Sequence, residues 1–282
     1  MNIILVPTNF SQVANFATDT AISIAEKTSS KVELLHMIPN KNTLSIELKP
    51  SSEVPSNSDP ELNEAIKKAF KSYLKICESN KKSSVEINLL IRCGNDVKKL
   101  TNAISTHSAD LIVMGTQEVQ GYETDMLIGE NTRTLTKEAQ APVLCIKKKI
   151  KDFNPKHIVF ATNFKQSHFE ELSDLKKKFF DAYDAHVSVV YVNTPENFAT
   201  TRKLTKIFQS HKKSLKLENV SLHIYNDTSR GGGIVNFSED VQADLVIMPT
   251  QGRKGIGYFL NGSISEQVLD DSKTPVITFV SK

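Results

Sequence analysis

Ala109-Asp110-Leu111-Ile112-Val113-Met114-Gly115-Thr116-Gln117 returns later in the chain as Ala243-Asp244-Leu245-Val246-Ile247-Met248-Pro249-Thr250-Gln251, with six of nine positions identical and two more exchanging Ile for Val. Two further matches follow in the same order. Val6-Pro7-Thr8-Asn9-Phe10-Ser11-Gln12 aligns with Phe160-Ala161-Thr162-Asn163-Phe164-Lys165-Gln166, and Ala141-Pro142-Val143-Leu144-Cys145-Ile146 with Thr274-Pro275-Val276-Ile277-Thr278-Phe279. Self-similarity on this scale means one supersecondary plan used twice. The expected domains are 1–148 and 154–282, joined near Lys147–Asn154; 282 residues suit two domains of ordinary size.

Each copy alternates short β-branched runs with helical spacing. The strands expected in the first copy are Ile3–Val6, Val32–Met37, Val85–Ile91, Leu111–Met114 and Val143–Ile146; in the second, Ile158–Ala161, Val187–Val192, Val220–Tyr225, Leu245–Met248 and Val276–Val280. Continuous apolar strands are those covered on both faces. The helices between them are Ser11–Lys27, Pro60–Glu78, Val97–Ser105 and Asn131–Ala139, then Ser167–Ala182, Phe198–Leu217, Ile234–Val241 and Ser263–Asp271. Ser11 suits an N-cap and Pro60 a first helical turn. Such alternation predicts an α/β fold: two tandem five-stranded parallel sheets, with helices on both faces. The first copy is 20 residues longer, an excess that fits the polar stretch Pro39–Asp59. A stretch of that kind is either disordered or a functional flap.

Composition removes several classes of function. With 35 Lys+Arg against 32 Asp+Glu the formal charge is only +3, too even to point to nucleic acid or a membrane surface. No apolar run approaches the ~20 residues of a bilayer span. The start, Met1-Asn2-Ile3-Ile4-Leu5-Val6-Pro7, reads as a first strand and not as a leader. Cys77, Cys93 and Cys145 are odd in number and widely spaced, so they read as free thiols in a reducing cytoplasm, with no metal expected. The seven histidines form no close ligand pair and no nucleophile–base motif. His36 and His223 fall within strands and read as packing residues, and Lys147-Lys148-Lys149 as a solvated linker edge.

In a doubly wound sheet, ligands sit beyond the carboxyl ends of the strands. There the second copy carries Pro249-Thr250-Gln251-Gly252-Arg253-Lys254-Gly255-Ile256-Gly257-Tyr258-Phe259-Leu260-Asn261-Gly262-Ser263. Its glycines admit close backbone approach, Gly262-Ser263 opens a helix whose free amides favour an anion, and Arg253 and Lys254 add cations. A phosphate-bearing ligand fits; so does a flexible surface loop with an ordinary cap. Arg230-Gly231-Gly232-Gly233 lacks the Walker spacing and reads as a tight turn.

Met248-Pro249-Thr250-Gln251-Gly252, nine residues, then Gly262-Ser263 opening a helix toward a Pro-Val strand, resembles the universal stress protein family. The openings Val6-Pro7-Thr8-Asn9-Phe10-Ser11 and Leu34-Leu35-His36-Met37-Ile38-Pro39 resemble it too. The likeness covers nearly the whole chain except Pro39–Asp59. It implies a five-stranded parallel sheet of the adenine nucleotide α-hydrolase-like (Rossmann-like) kind. It also implies two domains paired about a pseudo-two-fold axis through Pro142–Lys147 and Pro275–Val280, a homodimer of tandem chains, and an unknown protein partner. Members with the full glycine motif bind ATP. The resemblance therefore implies that ATP, ADP or AMP is held in the second half by Ala161, Thr162, Asn163, Val192, Pro249, Gln251, Gly252, Arg253, Gly262, Ser263 and Ile264. Two departures weigh against it. Pro249 replaces the motif's first glycine and removes an amide donor, and Asn9 and Asn163 stand where the family has Asp.

The first half departs further. Glu118 replaces the second glycine, the loop is one residue longer, and Glu118, Glu123, Asp125 and Glu130 gather where phosphate would lie. Each would repel a triphosphate by roughly 1 kcal/mol or more at short range, and Glu130 is expected to occupy the positive end of a helix. Met37, the counterpart of Val192, would flank adenine by the same analogy. The alternative reading is a nucleotide-independent interaction scaffold. An enzyme is disfavoured, since neither the Ser-Gly-Gly loop of sulfurtransferases nor the His-x-Gly-His signature of nucleotidyltransferases occurs.

Overall fold

The computed structural model describes residues 1–40, 44–56, 58–93, 104, 107–116, 126–250 and 264–280. The chain divides into two compact units, Met1–Leu135 with Ala139–Phe153, and Thr136–Glu138 with Asn154–Lys282.

In the first unit the elements run β1 (Ile3–Pro7), α1 (Gln12–Thr28), β2 (Lys31–Ile38), β3 (Ser45–Leu48), α2 (Pro60–Ser79), β4 (Ile87–Cys93), β5 (Leu111–Gly115), α3 (Met126–Glu138, its last three residues counted with the second unit) and β6 (Val143–Ile146). Its strand order is β3-β4-β2-β1-β5-β6. All pairs are parallel except β3–β4, which is antiparallel with Ser45 opposite Arg92 and Leu48 opposite Leu89. The expected five parallel strands are present, and β3 is a sixth that the sequence did not predict. It lies inside the polar stretch, which is therefore not wholly disordered: its four residues run exposed, half-buried, exposed and buried, ending on Leu48 at 2% exposure.

The caps behave as their chemistry requires. Ser11 Oγ accepts the Ala14 amide at 3.3 Å, and Asp59 Oδ1 accepts those of Glu61 and Leu62 ahead of Pro60. Helix α3 begins at Met126, not at Asn131. Glu130 therefore lies within the helix and not before its start. Of the expected helix Val97–Ser105, only Ile104 belongs to the described residues.

The second unit contains β7 (His157–Ala161), α4 (Gln166–Lys178), a 3-10 turn (Phe180–Tyr183), β8 (His186–Asn193), α5 (Thr201–Ser214), β9 (Val220–Asn226), α6 (Arg230–Asp240), β10 (Leu245–Thr250), α7 (Ile264–Asp271) and β11 (Val276–Val280). All pairs are parallel, in the order β9-β8-β7-β10-β11. Ile158, Val159, Phe160, Val187, Val189, Leu245, Val246, Ile247 and Ile277 are all fully buried at the centre of this sheet. Helix α6 begins at Arg230, so Gly231-Gly232-Gly233 is its first turn and not a tight turn; Ser229 Oγ caps it by accepting the Gly232 amide at 3.1 Å. Among the described residues no helix is long and apolar enough to cross a membrane, and no cluster of His, Cys, Asp or Glu could hold a metal.

Candidate functional site

Strand order in the second unit reverses between β7 and β10, which makes their carboxyl ends the switch point. The two strands stay in register from Leu245–Ile158 to Ile247–Phe160, whereas β10 and β11 continue to Thr250–Val280. The Val246 amide donates to Pro275 O, so the even-numbered amides of β10 face β11 and the odd ones face β7. Pro249 is odd and has no amide to give. The ladder to β7 ends before it, at the place where a doubly wound sheet sets its ligand crevice.

On the β7 side, Ala161 is buried and leads into the Thr162-Asn163-Phe164 turn. Phe164 adopts φ 67°, and its amide donates to Thr162 Oγ1 at 3.0 Å. The same hydroxyl lies 3.0 Å from His168 Nδ1 on α4. Thr162 Oγ1 is thus held between the Phe164 amide and the His168 ring within the protein. Exposed Asn163 accepts the Lys165 amide at 3.4 Å. The first unit repeats this turn: Phe10 has φ 60°, its amide donates to Thr8 Oγ1 at 3.0 Å, and Ser11 donates to Asn9 Oδ1 at 3.0 Å. Both asparagines thus hold the mouth of the following helix.

On the β8 side, Val192 is buried at 6% beneath the start of α6. A Cβ added at Gly233 would lie 2.5 Å from Val192 Cγ1, and one at Gly231 would lie 2.2 Å from Gln267 Oε1 on α7. These glycines let α6 approach β8 and α7, a packing role that a Gly-rich sequence does not distinguish from ligand contact. Gly115, at the position equivalent to Pro249, serves the same purpose: its Cβ would meet Val13 O of α1 at 2.5 Å. Met37 is half-buried. Ile264 is the first residue of α7.

Gln251, Gly252, Arg253, Lys254, Gly262 and Ser263 lie outside the described residues, as do Glu118, Glu123 and Asp125 of the first half. The structure brings Ala161, Thr162, Asn163, Val192 and Pro249 to one end of one sheet and sets Ile264 at the start of the helix that follows.

The histidines are more organised than their spacing suggested. His36 Nδ1 lies 2.8 Å from Thr8 O, and burial pushes its pKa down. At the opposite, amino ends of the strands, His157 and His186 stand with ring centroids 5.8 Å apart. His157 Nε2 meets Ser188 Oγ at 2.8 Å, and Ser221 Oγ bridges His186 Nε2 and His223 Nε2 at 2.8 and 2.9 Å. Cross-strand pairing of His157 with His186 places them together, and only the register reveals it.

The profile of the Universal stress protein family matches residues 1–147 and 155–279. A universal stress protein of Methanocaldococcus jannaschii is 29% identical over 149 residues, covering 53% of this chain and 84% of that protein. The crystal structure of a universal stress protein from Archaeoglobus fulgidus superposes with a TM-score of 0.75 at 16% identity, over 100% of this chain and 99% of that one, a likeness of fold.

Proposed function

Because the chain belongs to the universal stress protein family, we propose that it holds an adenine nucleotide, as ATP, ADP or AMP, in its second half alone. The site is the crevice beyond β7 and β10. The observation that carries this reading is the end of the β7–β10 ladder at Ile247–Phe160, with the Thr162-Asn163 turn following β7; in sequence, Gly252–Ser263 follows β10. Gly252, Gly262 and Ser263 cradle the phosphates, with Arg253 or Lys254 balancing their charge. Asn163 meets the ribose or base through its exposed amide. Thr162, whose hydroxyl is committed to Phe164 and His168, contributes through its backbone, and Ala161 and Val192 form apolar wall. Pro249 gives no amide and serves by ending the ladder.

In this reading the site holds nucleotide without efficient turnover. Occupancy then biases a partner only as far as that partner distinguishes the filled state from the empty one.

Thermal unfolding with ATP, ADP and AMP tests the reading. A nucleotide at 100 times its Kd stabilises the folded state by about 2.7 kcal/mol, and Gly262→Asp should remove that gain. No shift with any of the three, or an equal shift in Gly262→Asp, would favour the nucleotide-independent scaffold.

A further inference from the structure

The two halves treat the same sheet edge differently. In the first, the third strand of the repeat, β4, is covered by antiparallel β3. That new edge is only four residues long and carries Glu47, which protects it from further pairing. The second half lacks the insertion, and among the described residues β9 is the last strand beyond β8. Its seven residues, Val220-Ser221-Leu222-His223-Ile224-Tyr225-Asn226, include no Lys, Arg, Asp, Glu or Pro. A long, uncharged edge of this kind is a template for another strand.

Its free groups can be assigned. Asn219 O accepts from the Val187 amide and the Asp227 amide donates to Asn193 O. In a parallel ladder this turns the odd-numbered residues toward β8 and points the N–H and C=O groups of Val220, Leu222, Ile224 and Asn226 outward. Lys212 Nζ reaches Val220 O from that outer side at 3.3 Å.

Beside the edge runs an open groove of about 440 Å³, lined by Leu222, Ile224, Phe198, Thr201 and Thr205 among others; Phe198 is 71% exposed. Helix α5 above it carries Arg202, Lys203, Lys206, Lys212 and Lys213 and no acid. At about 100° per residue, buried Leu204, Phe208 and His211 mark the core face, and Thr201, Thr205 and Lys212 the groove side. Arg202, Lys206 and Lys213 form the next stripe outward, all exposed, and none meets a carboxylate among the described residues.

We propose that the outer edge of β9 docks an extended acidic segment of a partner protein, added antiparallel as β3 is added to β4. Main-chain bonds to Val220, Leu222, Ile224 and Asn226 supply the pairing, an apolar side chain enters the Phe198 groove, and carboxylates meet Arg202, Lys206 and Lys213. The site is independent of the nucleotide crevice.

The test titrates the full chain into a fluorescein-labelled peptide, Glu-Val-Glu-Ile-Asp-Val-Glu-Ile-Glu-Thr, by anisotropy at low and high salt. A second peptide carries Lys at every acidic position. The acidic peptide should bind, more weakly as salt rises, and slow amide exchange at Leu222 and Ile224. Ile224→Pro removes an outward amide without touching the β8 ladder, and R202E/K206E/K213E reverses the stripe while leaving the fold intact. Each should weaken binding at least tenfold. Lys203→Glu, on the far side of α5, should change it less than twofold. Failure of the acidic peptide to bind, equal binding of the Lys peptide, or undiminished binding by the triple variant would overturn the proposal. So would a chain dimer that Ile224→Pro dissociates, or displacement of the peptide by single-stranded DNA at lower concentration.

Discussion

Acidification should destabilise the second half through His168. His168 is 3% exposed, and its Nδ1 lies 3.0 Å from Thr162 Oγ1, which itself accepts the Phe164 amide. Protonation would place a positive charge in a site with little water. Burial accordingly pushes the pKa from 6.5 down to about 4, with Lys165 adding a smaller push in the same direction. The unfolded chain takes up its proton near pH 6.5 and the folded chain near 4, so across that window the unfolded state binds more protons. Stability is fully present above 6.5 and falls as pH drops through the window. At about 1.4 kcal/mol per unit, the loss is about 2.5 kcal/mol by pH 4.5 and about 3 kcal/mol below pH 4. The assay is urea unfolding at pH 7 and 4.5 for the wild type and His168→Gln, whose difference cancels the other titrating groups, together with NMR titration of the imidazole. A His168 titration at pH 6 or above, or the same pH dependence in both proteins, would refute the argument.

Gly233→Ala should destabilise the second half by about 1–3 kcal/mol despite improved helix propensity, because the new methyl meets Val192 at 2.5 Å and Asp227 Cβ at 2.8 Å; chemical unfolding reads it, and a stabilised variant would contradict the packing described. Leu48→Ala should cost the first half about 2–4 kcal/mol and raise amide exchange along β3, whereas an unchanged midpoint would mean that the β3–β4 pairing carries no weight.

Much of the architecture was legible because it was written twice. The Ala-Asp-Leu and Thr-Asn-Phe repeats align the two units strand for strand, and continuous β-branched runs announce buried parallel strands. Elements fixed by long-range contacts were not legible. Ser45–Leu48 has the composition of a loop and becomes a strand because the free edge of β4 lies beside it. Gly231-Gly232-Gly233 reads as a turn and is the first turn of α6, with glycine at 231 and 233 because Gln267 and Val192 leave little room for side chains there. The start of α3 at Met126 removes Glu130 from the position that local pattern assigned it. At the site, residue types did not reveal that the hydroxyl of Thr162 meets His168, a partner that Ala14 replaces in the first half.

The central claim is that one half of a duplicated chain keeps the nucleotide site and the other has lost it. Isothermal titration of ATP into the full chain measures this directly. The expected result is one nucleotide per chain, lost in Gly262→Asp. Two nucleotides per chain, none at all, or one that persists in Gly262→Asp would contradict it.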